Sequence, residues 1–145
     1  MKYLVDTSAL TRIIRRQADP EWDSLERRGL LAVSEPALTE TLLIAKAKEY
    51  SQLEAAIKAN YLSVVMPDGL WDSVATIRRT LAPHSAHRGL SVADLLIAAV
   101  AIRLKLTVLH EDGDFETVAR FVPEFKQYRL RQGPPTEKAM STIDS

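Results

Sequence analysis

Acidic side chains directly follow two of the predicted strands of this chain. Asp6 comes after the strand predicted at 3–5, and Asp112 and Asp114 come after the strand predicted at 107–109. In open parallel sheets, ligands bind beyond the carboxyl ends of the strands, so these carboxylates are candidates for a common site. Taken singly, Asp6 and Asp114 could instead cap the helices that follow them, and the Asp-Gly pair could form a tight turn.

Asp94 lies in an unusual setting for a carboxylate. It is the single residue between Val92 and Ile102 that is not apolar, and a helix that is apolar on nearly every side is a buried one. Ser91 and Asp94 also have the spacing of a capping box, in which the carboxylate accepts the Ser91 N–H. That bond satisfies one lone pair, and a buried carboxylate needs more partners. Both a capping role and a ligand role are open here.

Glu40 lies early in a predicted helix. Its neighbours three and four residues away are all apolar, which favours the covered side of that helix. These neighbours are Pro36, Ala37, Leu43 and Ile44. An ordinary glutamate on the solvent face is the alternative.

Together, these segments would bring several carboxylates to one end of one sheet. Like charges at close range raise each other's pKa unless a cation lies among them. Mg²⁺ takes oxygen ligands and combines a few carboxylates with waters and substrate phosphates, and Mn²⁺ suits the same ligands. Such an ion lowers the pKa of a bound water and neutralises charge on a phosphate. The residues therefore predict phosphodiester hydrolysis that depends on Mg²⁺ or Mn²⁺.

The elements that must position these residues alternate between short apolar runs and helical patterns. This alternation is typical of a parallel sheet in an α/β fold. We expect strands at 3–5, 31–33, 107–109 and 126–130, with a further short segment at 62–66. We expect helices at 7–16, 36–50, 53–61, 70–81, 92–104 and 115–121, and loops at 83–89 and 110–114.

One domain is expected from 145 residues, of which 46% are hydrophobic. We place this domain at 1–130. Residues 131–145 are polar and contain a Gly-Pro-Pro stretch, so we predict a loose tail there.

Several classes of protein are excluded by composition. The 19 Lys and Arg residues balance the 19 Asp and Glu residues, so the net charge does not mark a nucleic-acid binder. The absence of cysteine excludes disulfide scaffolds and thiolate sites. The longest apolar run, at 95–102, is far shorter than the about 20 residues of a membrane-spanning helix. The first residues also lack the apolar core of a secretory signal, so we expect a cytoplasmic protein that does not bind membranes.

Basic residues near the acids are candidates for contact with a phosphate-bearing substrate. Arg12, Arg15 and Arg16 have a spacing that would align them in one strip on the first helix. Arg88, in the loop before Ser91, is a further candidate. A solvated surface or ion pairs with a partner are the alternatives for these residues.

The histidine and tryptophan residues carry weaker signals. The three histidines lack metal-ligand spacing, and we expect His110 to orient the loop at 110–114 rather than to catalyse. Trp22 and Trp71 could stack on bases, but Trp71 has helical spacing with Val74 and Ala75, which favours packing in the core or between subunits.

Four blocks of this sequence resemble the PIN-domain family and, within it, the VapC-type toxins of bacterial toxin–antitoxin pairs. The blocks are LVDTSAL at 4–10, TETLL at 39–43, SVADLLIAA at 91–99 and VLHEDGDF at 108–115. They occur in order, and the resemblance extends over about residues 2–130.

The resemblance implies a PIN-like α/β fold with a central parallel sheet flanked by helices, and a ribonuclease dependent on Mg²⁺ or Mn²⁺. By position, Asp6, Glu40, Asp94 and Asp112 match the family's catalytic and metal-binding acids, and Asp114 matches a further metal-binding acid. The resemblance also implies RNA as the substrate, a homodimer, and a VapB-type antitoxin whose C-terminal segment enters the active-site groove.

Two other functions remain open from the residues alone. A non-catalytic interaction module would keep the acids as helix caps and bind a partner protein through apolar surface. A metal-dependent phosphatase is the other, although one common class carries an Asp-x-Asp pair after its first strand, and here Asp6 is followed by Thr7 and Ser8.

Overall fold

The computed structural model of the chain describes residues 1–135. A parallel sheet of five strands, in the order β3-β2-β1-β4-β5, forms its centre. The strands are β1 (Tyr3–Val5), β2 (Leu31–Val33), β3 (Leu62–Ser63), β4 (Thr107–His110) and β5 (Lys126–Arg129). The helices are α1 (Thr7–Ile14), α2 (Glu21–Arg27), α3 (Glu35–Leu43), α4 (Tyr50–Asn60), α5 (Leu70–Leu81), α6 (Val92–Leu104) and α7 (Gly113–Phe121). The predicted α/β fold with a central parallel sheet is confirmed.

The register of the central strands explains why the acids meet. Val5 at the end of β1 pairs with Val33 of β2 on one side and with Leu109 of β4 on the other. Because the three strands are parallel and end at one level, the residues that follow them leave the sheet at the same edge. Asp6 is the first residue beyond β1, and its N–H donates to the Leu109 carbonyl at 3.0 Å.

The core explains the apolar runs of the sequence. Every residue of β1, β2 and β4 is buried, as expected for strands covered on both faces. In α6, Ile97 and the four residues at 98–101 are buried as well. The all-round apolar pattern of this helix therefore predicted its burial correctly.

Several predicted boundaries were wrong. The first helix ends at Ile14 rather than Arg16, because Arg16 adopts a left-handed conformation with φ of 59°. The helix predicted at 36–50 ends at Leu43, and the next begins at Tyr50. Helix α2 was not predicted, because only Trp22 and Leu25 are buried in it and its apolar pattern is too sparse to indicate a helix.

The two tryptophans have opposite environments. Trp22 is fully buried, donates its indole N–H to the Leu130 carbonyl at 3.1 Å, and packs edge-on against Tyr3. This tryptophan therefore cannot stack on bases. Trp71 is 65% exposed, so the expected packing in the core was wrong, and packing between subunits stays a prediction.

Regular structure continues past the predicted domain end at residue 130. Residues Leu130–Gln132 form a 3₁₀ helix, and the buried Gly133 accepts a hydrogen bond from the Tyr128 hydroxyl at 2.7 Å. Most of the predicted tail, residues 136–145, lies outside the described residues. Within 1–135, no helix is long and apolar enough to cross a membrane.

We expect Trp22→Ala to lower the free energy of unfolding by about 3–5 kcal/mol, because it empties a large buried volume. Trp71→Ala is the matched control and should change stability by less than about 0.5 kcal/mol, since its side chain is mostly solvated. Urea denaturation followed by circular dichroism measures both. Equal losses for the two variants would contradict this description of the core.

Candidate active site

Asp6 caps α1 and is almost entirely buried. Its Oδ1 accepts the N–H of Ala9 at 2.9 Å, and both of its oxygens lie 2.8 Å from the Ser8 hydroxyl. The predicted N-cap is confirmed. The side chain is only 2% exposed, and this burial raises the pKa of Asp6 to about 6, despite the hydrogen bonds from Ala9 and Ser8. The negative charge of Asp94 raises that pKa further.

Asp94 forms the predicted capping box and also faces other acids. Its N–H donates to Ser91 Oγ at 3.0 Å, and its Oδ2 accepts the Ser91 N–H at 3.2 Å. Burial raises the pKa of Asp94, and the charges of Asp112 and Glu40 raise it as well. The capping role leaves Oδ1 available, so capping does not exclude a ligand role.

Asp112, rather than Asp114, caps α7. The helix begins at Gly113, and Asp112 Oδ1 accepts the Asp114 N–H at 2.9 Å. One carboxylate oxygen from each of Asp94, Asp112 and Asp114 lies within 4.8 Å of the others. Burial and the neighbouring Asp112 raise the pKa of Asp114. These three residues are called the acidic cluster below.

Glu40 lies beside the acidic cluster. It is half-buried on α3, and its carboxylate accepts a hydrogen bond from the hydroxyl of Thr7, the first residue of α1. This contact ties α3 to the start of α1. All five predicted acids therefore lie at one end of the sheet, while their individual roles stay predictions.

Polar residues that the sequence analysis did not select hold this arrangement together. The Ser8 hydroxyl binds Asp6 and also accepts the Glu111 N–H at 2.9 Å, which joins the residues after β1 to those after β4. The hydroxyl residues Thr7 and Ser8, directly after Asp6, were the available signal. No short-range pattern could reveal Glu111 as their partner, since it is 103 residues away from Ser8.

His110 orients the loop that carries the acids, as predicted. It is fully buried, and its Nδ1 accepts the Asp112 N–H at 3.0 Å. Its proton is therefore assigned to Nε2, which lies 2.7 Å from the Gln127 side-chain oxygen. Burial lowers the pKa of His110, which keeps the ring neutral in this role.

The three arginines of the first helix do not form the predicted strip. Arg12 donates to the Ser8 carbonyl at 3.0 Å and borders a recess shared with Glu111. Arg15 borders a groove between α1, α3 and α4, and Arg16 turns to Asp23 at 3.6 Å. The strip fails because α1 ends before Arg15, so helical spacing no longer applies to the last two side chains. Of the three, Arg12 is the one linked to the acids, because it binds Ser8, which in turn binds Asp6.

The loop of Arg88 lies against the acidic cluster. A Cβ on Gly89 would stand only 3.1 Å from Asp114 Oδ1, so the backbone approaches this carboxylate closely. Arg88, the preceding residue, is exposed. This position is consistent with a contact between Arg88 and a substrate phosphate, which stays a prediction.

The chemistry of the acidic cluster fits a hard divalent cation. Its donors are all carboxylate oxygens, the ligands that Mg²⁺ and Mn²⁺ prefer, and they are half-buried at close range. Raised pKa values at Asp94 and Asp114 show that their charged forms are unfavourable in the protein alone. A cation among them would remove this penalty.

We expect Asp6→Asn to stabilise the metal-free protein at neutral pH by about 1–3 kcal/mol, since a raised carboxyl pKa means that folding disfavours the charged form. Asparagine keeps an acceptor for the cap. The difference should shrink as the pH falls from about 6 to about 4, where wild-type Asp6 becomes protonated in the folded and then in the unfolded state. Urea denaturation across this pH range measures it. A wild type that is more stable than the variant at neutral pH would contradict the burial penalty.

Known proteins resemble this chain in sequence and in fold. The family model of the PIN domain matches residues 3–121. Ribonuclease VapC2 of Mycobacterium tuberculosis strain CDC 1551 is 32% identical over 141 residues, which cover 93% of this chain and 96% of that protein. Ribonuclease VapC21 of the same strain is 32% identical, with 81% and 86% covered.

Solved structures with the same fold include VapBC2 from Rickettsia felis bound to a promoter DNA fragment, at a TM-score of 0.67 and 22% identity. The match covers 89% of this chain and 98% of that one. VapBC-5 from M. tuberculosis has a TM-score of 0.55 and 23% identity, with 90% and 98% covered. From its matched family model and these relatives, the chain belongs to the PIN-domain family and, within it, to the VapC group.

Proposed function

We propose that this protein is the toxin of a toxin–antitoxin pair and hydrolyses RNA phosphodiester bonds with the help of Mg²⁺ or Mn²⁺. The observation that carries the proposal is the convergence of Asp94, Asp112 and Asp114, whose oxygens lie within 4.8 Å of one another. The relatives named Ribonuclease VapC2 and VapC21 support RNA as the substrate.

The residues divide into three roles. Asp94, Asp112 and Asp114, whose oxygens lie closest together, would hold the ion, and Asp6 and Glu40 would act beside them as further metal-binding and catalytic acids. When bound, the ion would lower the pKa of a water and neutralise negative charge on the phosphate. Arg12 and Arg88 are the residues that we expect to bind RNA phosphates, which would position the strand without reading its sequence.

We expect RNA cleavage in the presence of Mg²⁺ or Mn²⁺, and its loss in excess EDTA or in Asp94→Asn. Asparagine retains the capping geometry but removes a charged ligand oxygen, so cleavage should fall while the fold persists. Mn²⁺ at about 100 times its dissociation constant should stabilise the wild type by about 2.7 kcal/mol and Asp94→Asn much less. Gel assays of RNA cleavage and thermal melts measure these effects.

Asp72→Asn, an exposed aspartate on α5, is the matched control and should leave both readouts unchanged. Cleavage that survives in EDTA would contradict the metal role. If the wild type neither cleaves RNA nor is stabilised by Mn²⁺, the result would favour the non-catalytic interaction module.

We further propose a VapB-type antitoxin as the partner protein. Solved structures with a chain of this fold include members of toxin–antitoxin complexes, which supports the proposal. Apolar surface is available at the end of α3, where Leu43 is 78% and Ile44 is 65% exposed. Ile44 also lines the groove between α1, α3 and α4, which has a volume of about 490 Å³. Exposed apolar patches of this kind commonly bind other chains.

The expected homodimer and cytoplasmic location stay predictions.

We expect Ile44→Asp to weaken binding of the antitoxin by at least about tenfold, because a charge would have to be buried in an apolar contact. Co-expression with a VapB-type antitoxin, followed by measurement of the affinity between the two chains, tests this prediction. Val65→Asp is the matched control, since Val65 is 86% exposed after β3 and outside this groove. Equal binding by wild type and Ile44→Asp would exclude this surface.

A further inference from the structure

Strand β5 braces the loop that carries the acids. This edge strand pairs in parallel with β4, and Arg129 stands opposite His110 in the register. Side chains two residues apart on a strand point to the same face. From that face, Gln127 contacts His110, and Arg129 contacts Glu111. The main-chain N–H of Arg131 also donates to Glu111 at 2.7 Å.

The Arg129 guanidinium joins the loop after β4 to the start of α7. Its Nη1 lies 3.0 Å from Glu111 Oε2, and its Nη2 lies 2.7 Å from Glu116 Oε1. A Cβ on Gly113 would stand 3.5 Å from the same Nη2, so the guanidinium lies directly against the first residue of α7. Asp112 and Asp114 flank that glycine. One side chain thus fixes residues on both sides of two members of the acidic cluster.

The burial of these groups separates them from ordinary surface ion pairs, which contribute little. The side chains of Arg129 and Glu111 are 17% and 11% exposed, whereas that of Glu116 is 46% exposed. Burial opposes the charged form of Glu111, but the Arg131 N–H and the Arg129 guanidinium hold the pKa of Glu111 below its usual range. Removing the Arg129 guanidinium would leave Glu116 without its ion-pair partner, and the Glu111 carboxylate would keep, within residues 1–135, only its contacts with Arg131.

Glu111 also connects Arg129 to the residues that follow β1. Its side chain is held by Arg129 and by the Arg131 N–H, while its own N–H donates to Ser8 Oγ. Ser8 in turn binds Asp6. The chain of contacts therefore runs without interruption from the guanidinium to the buried acid after β1.

We propose that Arg129 is a positioning residue for the metal site, which it serves by holding Asp112 and Asp114 at the spacing that a divalent cation requires. The inference rests on the proposed metal role of the acidic cluster. Arg129 has no direct contact with the ion in this role. Partners that orient the ligands of a metal commonly change metal affinity by about 10–100-fold when they are removed.

The test measures Mn²⁺ binding to the full chain by titration calorimetry, together with steady-state RNA cleavage. Arg129→Gln should weaken Mn²⁺ binding by about 10–100-fold, with KM for RNA nearly unchanged and cleavage restored by higher Mn²⁺ concentration. Arg120→Gln, an exposed arginine on α7, is the matched control and should bind Mn²⁺ like the wild type. Arg129→Lys should recover only part of the affinity, since an ammonium lacks the planar fork that reaches both glutamates.

A second readout uses the protein without metal. Amide hydrogen exchange of Asp112 and Asp114 should accelerate in Arg129→Gln, while exchange in α6 and β1 stays as in the wild type. Glu111→Gln should weaken Mn²⁺ binding more than Glu116→Gln, because Glu111 is the more buried partner and also contacts Ser8. If Arg129→Gln does not fold, these two glutamate variants and Arg129→Lys decide the question.

The outcomes separate this inference from the proposed function. A wild type that neither binds Mn²⁺ nor cleaves RNA would overturn the proposed function itself. A wild type that does both, with unchanged Mn²⁺ affinity and unchanged loop exchange in Arg129→Gln, would overturn the positioning role alone. A higher KM for RNA in Arg129→Gln, without a change in Mn²⁺ affinity, would also overturn the positioning role, since that pattern is expected of a residue that contacts the substrate.

Discussion

The unfavourable burial of several carboxylates side by side at one edge of the sheet, to which their mutual repulsion adds, is the constraint on which the site depends. Burial raises the pKa of Asp6, Asp94 and Asp114, so the folded chain disfavours the charges that it brings together. The parallel register of β1 and β4 brings Asp6 close to the loop that carries Asp112, because both strands end at the same edge, while the start of α6 adds Asp94. A bound cation would convert that unfavourable arrangement into a favourable one, which couples the stability of the protein to occupation of the site.

Helix capping makes the arrangement tolerable before any cation binds. Asp6, Asp94 and Asp112 each accept a backbone N–H at the start of a helix. Such bonds offset part of the cost of burying a carboxylate, and the positive end of the helix dipole adds to them. The structural and chemical readings of these residues are therefore compatible: one oxygen or lone pair serves the helix, and another remains for a ligand.

Fixed contacts on either side of the acidic cluster limit its freedom to relax. If the loop after β4 could move, Asp112 and Asp114 would separate and their repulsion would fall. The carboxylate oxygens of the acidic cluster would then no longer lie close together. His110 and Arg129 oppose that movement from the side of the sheet, and Ser8 opposes it from α1. Charge repulsion that is held in place in this way is a common property of functional sites.

The sequence by itself determined the α/β class, the burial of α6 and the residue types at the site, because periodicity and capping spacing are local properties of the chain. Asp6 and Asp94 were recognisable for this reason, and so was the orienting role of His110. Tertiary structure alone decided which acids share the closest spacing, why Arg15 and Arg16 turn away from Arg12, and how Glu111 meets Ser8. Those outcomes depend on where α1 ends and on the register of strands about a hundred residues apart, and no local pattern encodes such contacts.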